Sequence, residues 1–335
     1  MKKIDIFNHI IPKSYYDKMI SVAPNAKDMN KRVRNIPSIV DLDERFRIMD
    51  RYEDYVQIIC IPNPPIESFG SPPISTDLTK LANDGMAELV QKYPDRFPGF
   101  IASLPMNAPE ELLAEAKRAV KDLKAVGVQI FTNVLGRPLD KPETMPLFDL
   151  MAELDRPIWM HPARGADVPD YKGESKSHYE IWWTLGWPYE TSAAMAHLVF
   201  SGLFDRHPNI KIITHHLGGM IPYFEGRVGP GWDQLGTRTS DEDYTLLLKK
   251  LKKRPVDYFH LFYADSAVFG AREALVCGLK FFGAERVLFA SDMPFDPEKG
   301  SAYIRWTIDN IDSLDISPAE RQAIYEGNAK RLLKL

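Results

Sequence analysis

Four of the eight histidines in this chain stand directly after short apolar runs, as do two aspartates. His9 follows the first such run, His161 the fifth, His215 and His216 the sixth, Asp265 the seventh and Asp292 the eighth. Imidazole and carboxylate together are the ligand set that suits Zn²⁺ or Mn²⁺. Any one of these histidines, His161 for example, could simply satisfy a nearby backbone group. The set is a different matter, because six ionisable residues at corresponding points of successive elements have no shared structural reason to be there. Asp265 could also be a structural carboxylate at the rim of whatever these elements build.

The elements that must carry these residues are short and β-branched, each followed by a polar loop and then a segment of helical period. The runs are 4–7, 56–61, 100–104, 128–131, 158–160, 210–214, 259–264 and 287–290. Helices are expected over 43–52, 77–92, 109–125, 144–154, 189–204, 241–253 and 271–282, with a final helix in 316–335 packed outside. Pro109 followed by Glu110 and Glu111 is a normal helix entry, proline first and carboxylates over the free N–H groups. Strands alternating with helices imply parallel strands joined by helical crossovers. Eight of them fit one closed (β/α)₈ barrel, a TIM barrel spanning residues 1–335, better than an open sheet. No G-x-G-x-x-G follows the first strand to argue for a dinucleotide fold. Residues 12–40 lack clear periodicity and read as an insertion after strand one that covers the barrel mouth. A second insertion, 162–188, follows strand five and carries Tyr171, Tyr179, Trp182, Trp183 and Trp187. In a barrel of this kind the C-terminal strand ends form the active site, which is where the histidines and aspartates fall.

Composition bounds the alternatives. Of 335 residues 44% are hydrophobic and 26% charged, enough for a large core. The net charge of −4 leaves no basic footprint for nucleic acid. The basic cluster Lys249, Lys250, Lys252, Lys253 and Arg254 reads as a solvated helix face. Cys60 and Cys277 each lie in an apolar run, so a reducing, cytoplasmic setting is expected and a disulfide framework is not. The start shows no apolar core of signal-peptide length, and no stretch approaches the ~20 apolar residues of a membrane span.

The motifs carry a resemblance. The chain resembles the amidohydrolase-2 group of the amidohydrolase superfamily, which includes aminocarboxymuconate-semialdehyde and γ-resorcylate decarboxylases. Ile4-Asp5-Ile6-Phe7-Asn8-His9-Ile10-Ile11-Pro12 is similar to the group's opening I-D-x-H-x-H-x-x-P, and Arg45-Phe46-Arg47-Ile48-Met49-Asp50 to its R-x-R-x-M-D helix. Gly127-Val128-Gln129-Ile130 is similar to its fourth strand and Ile158-Trp159-Met160-His161-Pro162 to its fifth. Tyr189-Glu190-Thr191, Gly202-Leu203-Phe204, Pro208 and His216-Leu217-Gly218-Gly219 resemble its sixth βα unit; Ser291-Asp292-Met293-Pro294-Phe295 resembles its eighth. One position departs: Phe7 stands where relatives have the first histidine of H-x-H, or a glutamate.

The resemblance implies a fold of the metal-dependent hydrolase type, one divalent ion (Zn²⁺ or Mn²⁺) and no organic cofactor. His9, His161 and Asp292 are the expected ligands; His216 is either a fourth ligand or a base beside the metal. It implies non-oxidative decarboxylation of a hydroxylated aromatic or conjugated carboxylic acid. There a positioned acid must protonate the carbon that carries the carboxylate. Asp292 is expected to be that acid, kept protonated by a raised pKa near a dry aromatic wall, with His216 tuning it. Arg45 or Arg47 could clamp a substrate carboxylate through two parallel hydrogen bonds, or form an exposed helix salt bridge. Phe131, Trp182, Trp183 and Trp187 would suit a flat substrate, or serve packing alone. Tyr223-Phe224-Glu225-Gly226-Arg227 resembles a segment that sends an arginine into a neighbouring subunit's site, so a homodimer or homotetramer with Arg227 as a substrate-binding residue is expected. The same site could instead hydrolyse a lactone or ester, or hydrate or isomerise an unsaturated acid. A non-catalytic binding protein is the remaining alternative, with Phe7 as its symptom.

Overall fold

A computed structural model describes residues 1–23, 31, 35–240 and 244–335, except the side chain of Thr245. Eight parallel strands lie side by side in chain order: β1 (Lys3–His9), β2 (Tyr55–Cys60), β3 (Gly99–Ala102), β4 (Gly127–Phe131), β7 (Ile158–His161), β8 (Ile212–Thr214), β9 (Tyr263–Asp265) and β10 (Val287–Leu288). The two-residue strands β5 (Asn133–Val134) and β6 (Arg137–Pro138) form a separate hairpin. First and last strands meet: Ile6 donates its N–H to Phe289 O (3.0 Å), Asp292 to Phe7 O and His9 to Met293 O (both 2.9 Å). The sheet therefore closes into an α/β barrel of the TIM type.

Strand spacing is enforced locally. A Cβ on Gly127 would lie 2.3 Å from Pro157 O, so only glycine lets β4 run this close to the start of β7. The register of β1 on β2 shifts between Asp5 and Asn8, and Asn8 Nδ2 donates to Asp5 O across the irregularity (3.2 Å). Within the barrel Ile4, Ile6, Phe7, Ile58, Ile101, Trp159, Ile213 and Leu288 pack as one buried cluster.

Several expectations are corrected. The seventh run begins too early, because Pro255 starts a helical turn, Pro255–Phe259, in which Phe259 stacks on Trp232 at 4.9 Å. The helix expected over 241–253 is Thr245–Lys250, and 241–243 lie outside the described residues. A helix unassigned from sequence, Ala302–Asp312, buries Ala302, Ile304, Thr307 and Ile311 at helical spacing. The insertion after strand one opens with a helix, Lys13–Val22, packed against the helix Pro72–Lys92. Its described residues Lys31, Asn35 and Ile36 do reach the barrel mouth; 24–30 and 32–34 lie outside the described residues. The tail does not lie on the outer wall. After a capping box at Ser317 and Glu320 it turns inward, and Ala329, Leu332 and Leu333 join the barrel-interior cluster beside Ile4 and Leu288. That tail floors the end of the barrel opposite the histidines. No described helix is long and apolar enough to cross a membrane.

One buried carboxyl lies in the short 3-10 helix that follows β2, Ile66–Phe69. Both Glu67 oxygens are buried without a hydrogen-bond partner, and burial pushes the pKa up to about 7. The folded protein thus binds this proton more tightly than the unfolded chain, whose glutamate titrates near 4.5. Stability is full below that value, falls as pH rises through about 7, and stays lowered above it. Glu67→Gln, neutral throughout, should match wild type at pH 4 and exceed it by about 1–3 kcal/mol at pH 8. Denaturant melts at the two pH values check this; a variant no more stable at pH 8 would refute it.

Candidate active site and metal centre

The parallel strands all point the same way, so their C-terminal ends bring the candidate residues to one mouth. His9, His161 and Asp265 are the last residues of β1, β7 and β9. His215 and His216 follow β8 at once, and Asp292 lies four residues beyond Leu288 of β10. His9 Nε2 lies 2.9 Å from Asp292 Oδ1, and its Nδ1 lies 3.2 Å from Ile61 O. His161 Nδ1 faces Pro162 O at 2.6 Å. His215 Nδ1 is hydrogen-bonded to Asp265 Oδ2, and its Nε2 lies 3.5 Å from Asp292 Oδ1. His216 Nε2 stands 3.5 Å from Asp292 Oδ2. Neither 3.5 Å approach has the alignment of a hydrogen bond, so His215 Nε2 and both ring nitrogens of His216 are buried without a partner. The sequence match placed His216 here; His215, named as a strand-end residue but given no role, stands equally close to Asp292.

Electrostatics separates these groups. Burial pushes His9 and His161 down, His161 well below the usual imidazole range, and neighbouring histidines add to the effect at His161. His216 is also lowered, by burial and by His215. Burial acts the same way on His215, but the carboxylates of Asp265 and Asp292 outweigh it and raise its pKa to about 9. Asp292 reverses an expectation. Burial would raise its pKa, yet His215, His216 and His9 hold it well below the usual carboxylate range. It is an anion at rest, not the standing acid that an aromatic wall alone would make. Both Asp292 (φ 62°) and His216 (φ 50°) hold left-handed backbone, a conformation kept by non-glycine residues mainly where the surroundings require it.

Above this cluster opens a cavity of about 840 Å³, a size suited to a small molecule. His161, His216 and Asp292 line it, and Trp182, Trp183, Trp187, Phe269, Phe295 and Tyr303 wall it. Trp187 lies nearly parallel to the His216 ring (18°, 6.5 Å between centroids), and its Nε1 donates to Arg164 O. Lys31, Asn63, Lys176 and His178 add polar lining that sequence reasoning missed. Their segments carry no periodic signal in the sequence; of the wall residues given no role from sequence, Phe269, Phe295 and Tyr303, only Phe295 was visible, as the end of the Ser291–Phe295 motif.

The other sequence candidates fall elsewhere. Phe131 is buried behind His161, with ring centroids 5.2 Å apart, and does not line the cavity. Arg45 is wholly buried beneath His9 and does not line the cavity either. Its Nη1 donates to His9 O (2.7 Å), Nη2 to Asn8 Oδ1 (2.6 Å) and Nε to Gln57 Oε1 (2.7 Å). Arg47 is exposed and bonded to Glu44, the helix salt bridge rather than the clamp. Arg227 is exposed on the helix Glu225–Asp233 and stands clear of its own chain's cavity.

The donors fit a divalent metal. Among the described residues, His9, His161 and His215 form one group whose ligand atoms lie within 4.8 Å of one another, and His215, His216 and Asp292 form another. Buried imidazole nitrogens without partners, beside a carboxylate, are what a Zn²⁺ or Mn²⁺ site offers before its ion is counted.

The amidohydrolase family model matches residues 63–335. The chain belongs to that family. Among amidohydrolase relatives, 2-amino-3-carboxymuconate-6-semialdehyde decarboxylase of Dictyostelium discoideum is 29% identical, over 99% of this chain and 92% of its own. The γ-resorcylate decarboxylase of Polaromonas sp. is 32% identical, over 88% of this chain and 87% of its own. In three dimensions the chain is similar to a 2,6-dihydroxybenzoate decarboxylase complexed with 2,6-dihydroxybenzoate, with a TM-score of 0.80, 27% identity and full coverage of both chains. A dihydroxybenzoic acid decarboxylase from Polaromonas sp. JS666, with bound manganese and 2-nitroresorcinol, matches with a TM-score of 0.80 and 27% identity, over 100% of this chain and 97% of that one.

Proposed function

We propose that this amidohydrolase is a metal-dependent, non-oxidative decarboxylase of a hydroxylated aromatic or conjugated carboxylic acid. The observation that carries the reading is the cavity itself, an aromatic slot whose polar surface includes His161, His216 and Asp292. A divalent ion, Zn²⁺ or Mn²⁺, held by His9, His161 and Asp292, would supply a Lewis acid for the substrate's carboxylate and an adjacent oxygen. Trp182, Trp183 and Trp187, packed edge to face, would form an aromatic wall against a flat substrate and keep water from the reacting carbon. Lys31 and Lys176 are the lysines of the lining and replace Arg45 and Arg47 as carboxylate partners. Asp292, anionic at rest, must gain a proton before it can deliver one to carbon. His216, on the cavity side and 3.5 Å away, is the neighbour through which that proton passes. Relatives that act on carboxylated arenes support the substrate class. The exposed Arg227, with exposed Tyr223 and Phe224, would serve a neighbouring subunit in a homodimer or homotetramer.

The test is turnover of a hydroxybenzoate panel by Mn²⁺-loaded protein in D₂O. Decarboxylation releases CO₂ and leaves one deuterium on the carbon that lost it. Rapid lactone opening without carbon-bound deuterium, and with every carboxylated arene untouched, would transfer the assignment to a hydrolase of the same site.

A further inference from the structure

Phe7 occupies the floor of the metal centre and cannot ligate. Its ring lies 4.0 Å from that of His215, 4.9 Å from His9 and 5.7 Å from His161, centroid to centroid. It is buried and packed into the barrel interior, so the space is filled by carbon. We infer that His215 supplies the ligand that Phe7 does not, completing a shell of His9, His161, His215 and Asp292, with Asp265 as the residue that sets its ring. This rests on the metal site proposed above and specifies it.

Two independent features of the geometry carry the inference. The first is the pairing of the two ring nitrogens. Nδ1 is engaged by Asp265 from the neighbouring strand, which leaves Nε2 as the atom facing inward. That arrangement, a carboxylate on one imidazole nitrogen and the metal on the other, is how ligand histidines are ordinarily oriented. The second is the state of Nε2. It is buried, has no hydrogen-bond partner, and lies with ligand atoms of His9 and His161 in one group within 4.8 Å. A buried imidazole nitrogen aimed at two other imidazoles and a carboxylate, and bonded to none, is costly unless something sits between them.

The same geometry separates His215 from its neighbour. His216 lines the cavity under Trp187, whereas His215 does not line it and lies against Phe7. His215 therefore belongs to the metal and His216 to the substrate and its proton. Asp265, which could have been a rim carboxylate with no part in the site, becomes a positioning residue.

The experiment reads the metal directly. Zinc-edge X-ray absorption of the Zn²⁺-loaded wild type should count three imidazoles about the ion, and the count should be unchanged in His216→Ala. Chelator competition should show Zn²⁺ binding weakened at least about 100-fold in His215→Ala and about 10–100-fold in Asp265→Asn, the range for partners that orient a ligand. The absorption counts of wild type and His216→Ala together decide the question even if His215→Ala misfolds, and three imidazoles falling to two in His216→Ala would overturn the assignment. Two imidazoles in the wild type, or unaltered affinity in folded His215→Ala, overturns the assignment of His215 and leaves the decarboxylase reading standing. Wild type that takes up no Zn²⁺ or Mn²⁺ overturns both.

Discussion

Asp292→Asn should lower kcat/KM by more than about 10⁴-fold while leaving the barrel folded. General acid catalysis by a positioned group contributes roughly 10²–10⁴-fold, and asparagine has no proton of comparable acidity to give. The loss exceeds that range because the same carboxylate is the proposed anionic ligand, lies against three imidazoles, His9, His215 and His216, and is the counter-charge of one of them, His215. Asparagine matches aspartate in shape and is among the few residues that accept left-handed backbone, so φ 62° at this position costs it little. Steady-state kinetics should be read together with metal content and a thermal melt. A well-folded variant within about tenfold of wild type would remove Asp292 from the proton path.

Arg45→Met should destabilise the protein by about 3–5 kcal/mol, although it touches nothing in the cavity. The guanidinium is buried and donates to His9 O, Ser38 O, Asn8 Oδ1 and Gln57 Oε1. Burial lowers its pKa only to about 10, so it remains a cation at neutral pH, and bonds from a charged donor are worth roughly 1.5–3 kcal/mol each. Methionine fills most of the volume and leaves four buried acceptors empty. Two of them belong to Asn8 and His9, so the end of β1 should loosen and metal affinity should fall with stability. Arg45→Lys should rescue only part of the loss, since an ammonium cannot reproduce the planar fork. Urea melts and metal titration of both variants check this. A raised KM with unchanged stability and metal affinity would instead be the signature of a substrate clamp.

Much of the site is legible along the chain because parallel strands joined by helices all run the same way. Whatever follows each apolar run must then arrive at one mouth, which is why the sequence alone groups His9, His161, His216 and Asp292. Facing is another matter. Arg45 and Arg47 are two apart on one helix, hence on different faces, and nothing local says which face meets β1. Packing buries Arg45 and leaves Arg47 to Glu44.

The tandem histidines show the same division. That one of them serves the site follows from their place after β8. Which one looks down at Phe7 and which into the cavity is decided by Asp265, fifty residues on, and by the left-handed turn at His216. The charge of Asp292 is likewise a tertiary property, since burial and three imidazoles pull its proton affinity in opposite directions and only their distances set the winner. Strand order and direction come from local periodicity, which each segment carries in itself. Side-chain facing and ionisation come from partners distant in sequence, which only the closed barrel brings within a few ångströms.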